Sequence, residues 1–456
     1  MPDRELRWMR LDNAAKIYPA AKRRNWSNMF RLSATLREPV DPAVLQSALN
    51  VTVKRFPSIA VRIRRGMFWY YLEELEHAPD IAYEAPYPLA HRKFSDIRRC
   101  AFRVLYYENR IAVEFFHALT DGSGGLVFLK TLTAEYLTQK HGITITSGNG
   151  VLDRYEEPDD QELEDSFLQN EGPVSKSRRE ATAYQLTGTR EPDGYLNLIT
   201  GILDVREALA LAKRYGVSLT TFMVSVMILS ILDIQNRHVP ERRRQKPVKV
   251  LVPVNLRKFF DSRTLRNFAL YVTPGIDPKM GNYTLEEVLR TVHHQMGVEL
   301  TQKQMSARIT VNVRAEKSWA LKVIPLFMKN AAMKLVYNMV GEKKSCVTFS
   351  NLGAAMLPQE MTPYVDRLDF VLGSQAICPN NCGALPMETI LSLILHAILR
   401  KRNWNGNFSL ACAVSDSLSI LKAISAEGGT MVCLIVSIAA LSLQTVRKSA
   451  LCAVRK

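Results

Sequence analysis

Residues 110–125 read RIAVEFFHALTDGSGG. Arg110–Phe116 is an apolar run of strand character, and His117 stands directly at its end. Asp121 and Gly122 follow, and the turn Ser123-Gly124-Gly125 opens a helix to about Leu137 that stacks Leu129, Leu132 and Tyr136 on one face. A histidine at a strand end projects into a cleft, and its ordinary pKa near working pH suits a general base. Asp121 sits too far along the chain to reach that ring easily, but it can lock the intervening loop through an ion pair. The glycines let a ligand backbone or thioester approach with no Cβ in the way.

Working outward, residues 1–150 read as one α/β unit. Met29–Leu36 has strand character, and Asp41-Pro42 starts a helix carrying Val44, Leu45, Ala48, Leu49 and Thr52 at helical spacing;. Ile59–Arg65 and Met67–Leu72 read as strands turning at Gly66, the second with the aromatic run Phe68–Tyr71, which lines an apolar pocket or fills strand core. Ala101–Tyr107 pairs with Arg110–Phe116 across Glu108-Asn109. Residues 151–190 change character: DRYEEPDDQELED is strongly acidic, KSRRE follows, and the stretch reads as a crossover linker on the surface;. Residues 191–388 form a second α/β block. It has a strand at Tyr195–Leu203, a helix at Val205–Tyr215 closed by Gly216, and an apolar helix capped by Ser218 and running to about Gln235. Strands follow at Lys249–Asn255, Phe268–Thr273 and Cys346–Ser350, with a helix at Leu285–Leu300.

The chain has 456 residues, with 47% hydrophobic and 23% charged side chains, which excludes a disordered or fibrous protein;. Its net charge of +16 suits an anionic ligand, a membrane surface or nucleic acid;. Residues 390–456 supply +6 of that charge, and no aromatic–basic interleaving of a recognised module occurs, so nucleic acid is not an expected partner;. The seven cysteines form no CxxC pair, so neither a zinc site nor a thioredoxin-type redox site is signalled, and a reducing, cytoplasmic setting fits;. His293-His294 lack metal-ligand spacing and read as a surface pair; no metal site is expected. Arg242-Arg243-Arg244 with Lys246 reads either as a solvated basic loop or as a site for the phosphates of a nucleotide-bearing substrate. Ser350 and Asn351, in FSNLG, read either as hydrogen-bond donors near a reacting oxygen or as a capped turn ending in a left-handed glycine.

The segment HALTDG resembles the HxxxDG motif of the CoA-dependent acyltransferase superfamily, which includes chloramphenicol acetyltransferase, plant acyltransferases and peptide-synthetase condensation domains. Within it, RLDNAAKIYPA, FFHALTDGSGG, VPVNLR and FSNLG, in that order, resemble the alcohol acetyltransferase branch across about residues 5–385. The resemblance implies two pseudo-symmetric domains with a tunnel between them and His117 at its middle. It implies O-acyl transfer from acyl-CoA to an alcohol, with His117 as general base and no bound cofactor, because the thioester already carries an activated acyl group. Asp121, Gly122, Asn255 and Arg257 are then structural, with Arg257 the expected partner of Asp121. A carrier-protein thioester is the alternative donor, and a catalytically inactive relative or binding module the alternative role. A monomer is expected.

Residues 389–456 depart from that pattern. They hold nine serines, three cysteines and two acids, with no sustained amphipathic period. One explanation is translation out of frame. In the frame starting one base earlier, a consistent choice of wobble bases from about Leu395 to Ile424 encodes a strand, a helix rich in i,i+4 Glu–Lys and Glu–Arg pairs, and a strand. The other takes Met431–Leu443 at face value as a short membrane-associated helix, a contact that is open but not favoured.

Overall fold

The computed structural model describes residues 6–21, 28–85, 87–90, 92–175, 180–186, 196–318, 323–336, 342–373, 380–397 and 424–425. In the first half these form β1 (Trp8–Arg10), α1 (Ile17–Ala21), β2 (Met29–Leu36), α2 (Pro42–Arg55), β3 (Val61–Arg65), β4 (Tyr70–Glu74), β5 (Ala82–Tyr83), α3 (Phe94–Arg99), β6 (Phe102–Tyr107), β7 (Arg110–Phe116), α4 (Gly122–His141), α5 (Asp160–Leu163) and α6 (Ser166–Gln169). The second half adds β8 (Asn197–Asp204), α7 (Val205–Arg214), α8 (Leu219–His238), β9 (Val248–Asn255), β10 (Ala269–Val272), β11 (Gly275–Ile276), α9 (Leu285–Glu299), α10 (Gln302–Lys317) and α11 (Leu326–Val336). It closes with β12 (Val347–Asn351), β13 (Val365–Val371), β14 (Asn380–Met387), β15 (Ile390–Ala397) and β16 (Ile424–Ser425).

Local signals set the ends of these elements. Asp41 accepts hydrogen bonds from the Ala43 and Val44 N–H groups and starts α2, with Pro42 at its first position;. Asp121 does the same for α4 through Ser123 and Gly124, and Gly142, at φ +67°, ends that helix;. The α4 helix therefore starts three residues earlier and ends four later than the sequence reading.

The protein is a mixed α/β fold. Among the described residues, β13-β2-β7-β6-β5 form one sheet and β10-β9-β12-β14-β15-β8-β16 a larger one, with β11 also on β9; β1-β4-β3 make a small third sheet. The first sheet packs α2 and α4 over a core that includes Phe30, Leu32, Phe115, Phe116 and Phe128. The larger sheet packs α8 and α9 over a second core that includes Phe222, Ile228, Val250 and Phe349. α8 is long and apolar enough to cross a bilayer, yet most of it is buried in this second core.

Three expectations change. The boundaries at 150, 191 and 388 do not follow the sheets, because β13 runs antiparallel beside β2 in the first sheet. Gly383 of β14 lies against β13: a Cβ there would stand 2.2 Å from the Phe370 carbonyl oxygen. Ser392 Oγ of β15 donates to Asp369 of β13 at 2.6 Å. The acidic stretch 151–190 is not simply a surface linker. Phe167 is fully buried, and Glu162 holds the buried Arg55 through two bonds of 2.5 and 2.8 Å. A guanidinium removed from water needs such a carboxylate, and the linker supplies it. Finally, the start of segment 389–456 is not atypical: β15 pairs along its length with both β14 and β8. Apart from Ile424–Ser425, the rest of that segment, including Met431–Leu443 and most of the out-of-frame reading, lies outside the described residues.

Candidate active site

β7 delivers His117 to the end of the first sheet, where its backbone N–H donates to the Asn28 carbonyl at 2.8 Å. The imidazole is half-buried. Tyr18 of α1 stacks on it with ring centroids 4.6 Å apart and an interplanar angle of 15°, and Phe30 meets it edge-on at 5.1 Å. Nδ1 lies 3.1 Å from Asn267 Oδ1. Burial pushes the imidazole below its ordinary range; its own backbone carbonyl, Asp121 and Asn267 act in the opposite sense without overcoming it;. The ring is therefore neutral at pH 7 and able to accept a proton.

Asp121 is fully committed. Its Oδ2 pairs with Arg257 Nη1 at 2.8 Å and accepts the Phe268 N–H at 2.9 Å, while Oδ1 caps α4. Burial opposes its charge, but Arg257 and the Phe268 and Gly124 N–H groups together hold its carboxyl below the usual range. Arg257 spends its other donors on the Thr264 and Arg266 carbonyls, at 2.8 and 2.6 Å, and reaches Asn255 Oδ1 at 3.2 Å. Asn255 in turn donates to Ser123 Oγ at 3.0 Å. The ends of the motif are thus held by consecutive residues of one distant segment, Asn267 at His117 and Phe268 at Asp121.

The glycines serve the protein rather than a ligand, which corrects the sequence reading. A Cβ on Gly122 would lie 2.5 Å from Leu352 Cδ2, and one on Gly124 would lie 2.2 Å from the Leu265 carbonyl oxygen. On Gly125 it would press Phe30, Leu32 and Phe115 at 3.0–3.2 Å. The same Leu352 brings the FSNLG segment onto the motif. Within it, Asn351 is the capped turn: Oδ1 accepts the Gly353 N–H at 2.9 Å, Gly353 has φ +82°, and Nδ2 donates to Thr220 at 3.2 Å. Ser350 is buried in β12, and its hydroxyl makes no hydrogen bond among the described residues.

The basic run is not brought to this centre. Arg242–Arg244 form an exposed turn before β9, whereas Asn255 ends that strand, a separation of roughly 20–25 Å at ~3.3 Å per residue;. Arg242 bonds Asn282, Arg244 approaches Glu241 at 3.9 Å, and Lys246 is on the same side. His293 and His294 lie exposed on α9, and no group of three or more His, Cys, Asp or Glu suited to a metal occurs among the described residues.

Three residues at the site escaped the sequence reading: Tyr18, Asn267 and Asp12. Asp12 is fully buried, accepts from Asn267 Nδ2 at 3.3 Å and from the Ala15 N–H at 2.6 Å, and lies 3.8 Å from Arg266 Nε. Asp12 and Tyr18 belong to RLDNAAKIYPA; nothing local marks Asn267. Beside this N-terminal segment a cavity of about 840 Å³ is lined by Trp8, Leu11, Lys16, Trp69, Tyr70 and Glu316, among others. Trp69, Tyr70 and Tyr71 of the aromatic run therefore line a pocket, and Leu72 of β4 is fully buried in the core.

Taken together, the sheets have the fold of solved acetyltransferase and peptide-synthetase condensation-domain structures. TRI101 of F. graminearum, in a structure with coenzyme A and deoxynivalenol, matches with a TM-score of 0.55 at 10% identity over 86% of this chain and 95% of that one. The trichothecene 15-O-acetyltransferase TRI3 of Fusarium sporotrichioides matches at 0.54 and 12% identity, over 86% and 91%. The first condensation domain of the CDA synthetase matches at 0.52 and 14% identity, over 90% and 94%. No protein-family model and no curated protein matches the sequence.

Proposed function

We propose that the protein is an O-acyltransferase that moves an acyl group from acyl-CoA to an alcohol, as in the alcohol acetyltransferase branch. The observation that carries this reading is the division of labour in the motif. His117 is neutral, half-exposed and held through Nδ1, whereas Asp121 is closed off by Arg257 and three N–H groups. His117 is therefore the base, and Asp121 holds the loop.

The acceptor hydroxyl attacks the thioester carbonyl carbon as Nε2 of His117 takes its proton. The tetrahedral oxyanion then collapses, the C–S bond breaks, and the imidazolium returns the proton to the departing thiolate. Ser350, with its uncommitted hydroxyl on the strand leading to Leu352, is the candidate donor to the oxyanion. A CoA ester as donor fits the reducing cytoplasmic setting expected from the cysteines. The acetyltransferase TRI3, and TRI101 with coenzyme A in its structure, support the chemistry.

The test is thiol release from acetyl-CoA with a panel of short alcohols, comparing wild type with His117→Ala. A loss of at least about 100-fold is expected on removing the base. An unchanged rate would retire the mechanism, and turnover only with a loaded carrier protein would move the donor to the condensation type.

A further inference from the structure

We propose that Asp12 and Asn267 are positioning residues that hold His117 in the tautomer with its proton on Nδ1, leaving the Nε2 lone pair to act as the base. This inference rests on the reading of His117 as the base and specifies what makes it one.

An amide side chain has an oxygen that accepts and a nitrogen that donates, and a neighbour decides which way it points. The Asp12 carboxylate only accepts, so Asn267 Nδ2 must face it, and this turns Oδ1 toward His117. An oxygen 3.1 Å from Nδ1 requires an N–H there. The backbone carbonyl of His117 acts on the ring in the same sense. Nδ1 thus meets an acceptor, and the tautomer with the proton on Nε2, useless as a base, loses this bond.

The same carboxylate fixes the ring plane. Through the Ala15 N–H, Asp12 closes the turn that starts α1, and the Tyr18 N–H donates to the Ala15 carbonyl at 3.1 Å. Tyr18 then stacks on the imidazole. Asp12 and Asn267 are both almost fully buried. Arg266 stands beside Asp12 and donates to the Arg10 carbonyl at 2.5 Å, which secures the segment from its other side. One buried acid therefore sets both the hydrogen bond and the stacking partner of the ring.

The test compares full-length wild type, Asp12→Asn, Asn267→Leu and His117→Ala. Two-bond proton–nitrogen spectra at pH 8 read the tautomer directly, and the signal missing from His117→Ala assigns the ring. The expected result is an Nδ1-protonated His117 in wild type and a mixture of tautomers in Asp12→Asn and Asn267→Leu. Alongside it, kcat for acetyl-CoA with short alcohols should fall about 100-fold in those two variants, with KM for acetyl-CoA little changed. A wild-type His117 protonated on Nε2 overturns the proposal without any variant having to fold, as does an unaltered tautomer in both. Retained turnover in His117→Ala would instead remove the general-base reading, an outcome the spectra keep separate.

Discussion

His117 and Asn267 are separated by 150 positions in the chain and meet with Nδ1 and Oδ1 3.1 Å apart. The contact depends on Phe268, whose N–H binds Asp121 and so seats the segment before β10 against the loop after β7. Thr120 Oγ1 adds a bond of 2.6 Å to the Leu265 carbonyl. A loop tied at both ends is preorganised, because its geometry does not have to be assembled when a ligand binds.

The Asp121–Arg257 pair should behave as a buried ion pair. Arg257→Ala leaves the Asp121 charge with only its N–H partners, and removing one member of such a pair costs about 3–5 kcal/mol. Urea denaturation should show that loss, with acyl transfer falling along with it. A change below about 1 kcal/mol would mean that the pair is effectively solvated.

The glycines rank by what opposes a methyl group. Gly124→Ala meets a backbone oxygen at 2.2 Å and should destabilise most, by at least about 2 kcal/mol;. Gly122→Ala meets only the tip of Leu352, so a second change, Leu352→Ala, should relieve much of its cost;. Thermal melts of the single and double variants check both statements.

Burial pushes the Asp12 carboxyl up to about 6 from 3.8; Asp165 adds to this, while Arg266, the Ala15 N–H and Asn267 pull the other way. The folded protein therefore holds this proton more tightly than the unfolded chain. Stability is lost as pH rises from about 4 to 6, and the cost stays in place above that window. Asp12→Asn, which mimics the protonated form, should be the more stable protein at pH 8, by up to about 3 kcal/mol at ~1.4 kcal/mol per pH unit. The difference should vanish near pH 3.5. Denaturation at the two pH values reads this directly, even as the variant loses activity.

Because burial lowers its affinity for a proton, His117 should remain a free base to below pH 6.5. The acid limb of kcat/KM is then expected to fall below that value. Protonation of Asp12 frees the Asn267 amide in the same range, so the wild-type limb should be steeper than one ionisation, and Asp12→Asn should reduce it to a single one. Arg266, Asp165 and Tyr18 also face this cluster, and the comparison between the two proteins cancels their shared contribution.

For residues 389–456 the gene itself is decisive. If the tail is read out of frame, the frame one base earlier should stay open across codons 395–424 and encode alternating acids and bases at helical spacing. A stop codon within that stretch retires the explanation.

Much of the architecture was legible locally. Alternating and apolar runs marked β2, β6, β7 and β9, and Asp41 and Ser218 marked helix starts, because strand pleating and helix capping depend on a few adjacent residues;. The elements from α10 to α11 and from β13 to β15 were not read. β13 and β14 mix polar and apolar residues, and their burial comes from packing against each other's sheets.

The sequence by itself determined the motif and its candidate base: a histidine ending an apolar strand and an aspartate four positions later, with the arginine that holds the aspartate implied by the resemblance. Only the tertiary structure decided how that histidine is held. Asp12 and Tyr18 come from one N-terminal segment and Asn267 from another, 255 positions beyond Asp12, and a hydrogen bond between side chains so far apart exists only once the two segments have packed and excluded water. The glycines make the same point, since the space each leaves is filled by Leu352, Leu265 or Phe30, a fact no spacing in the chain records.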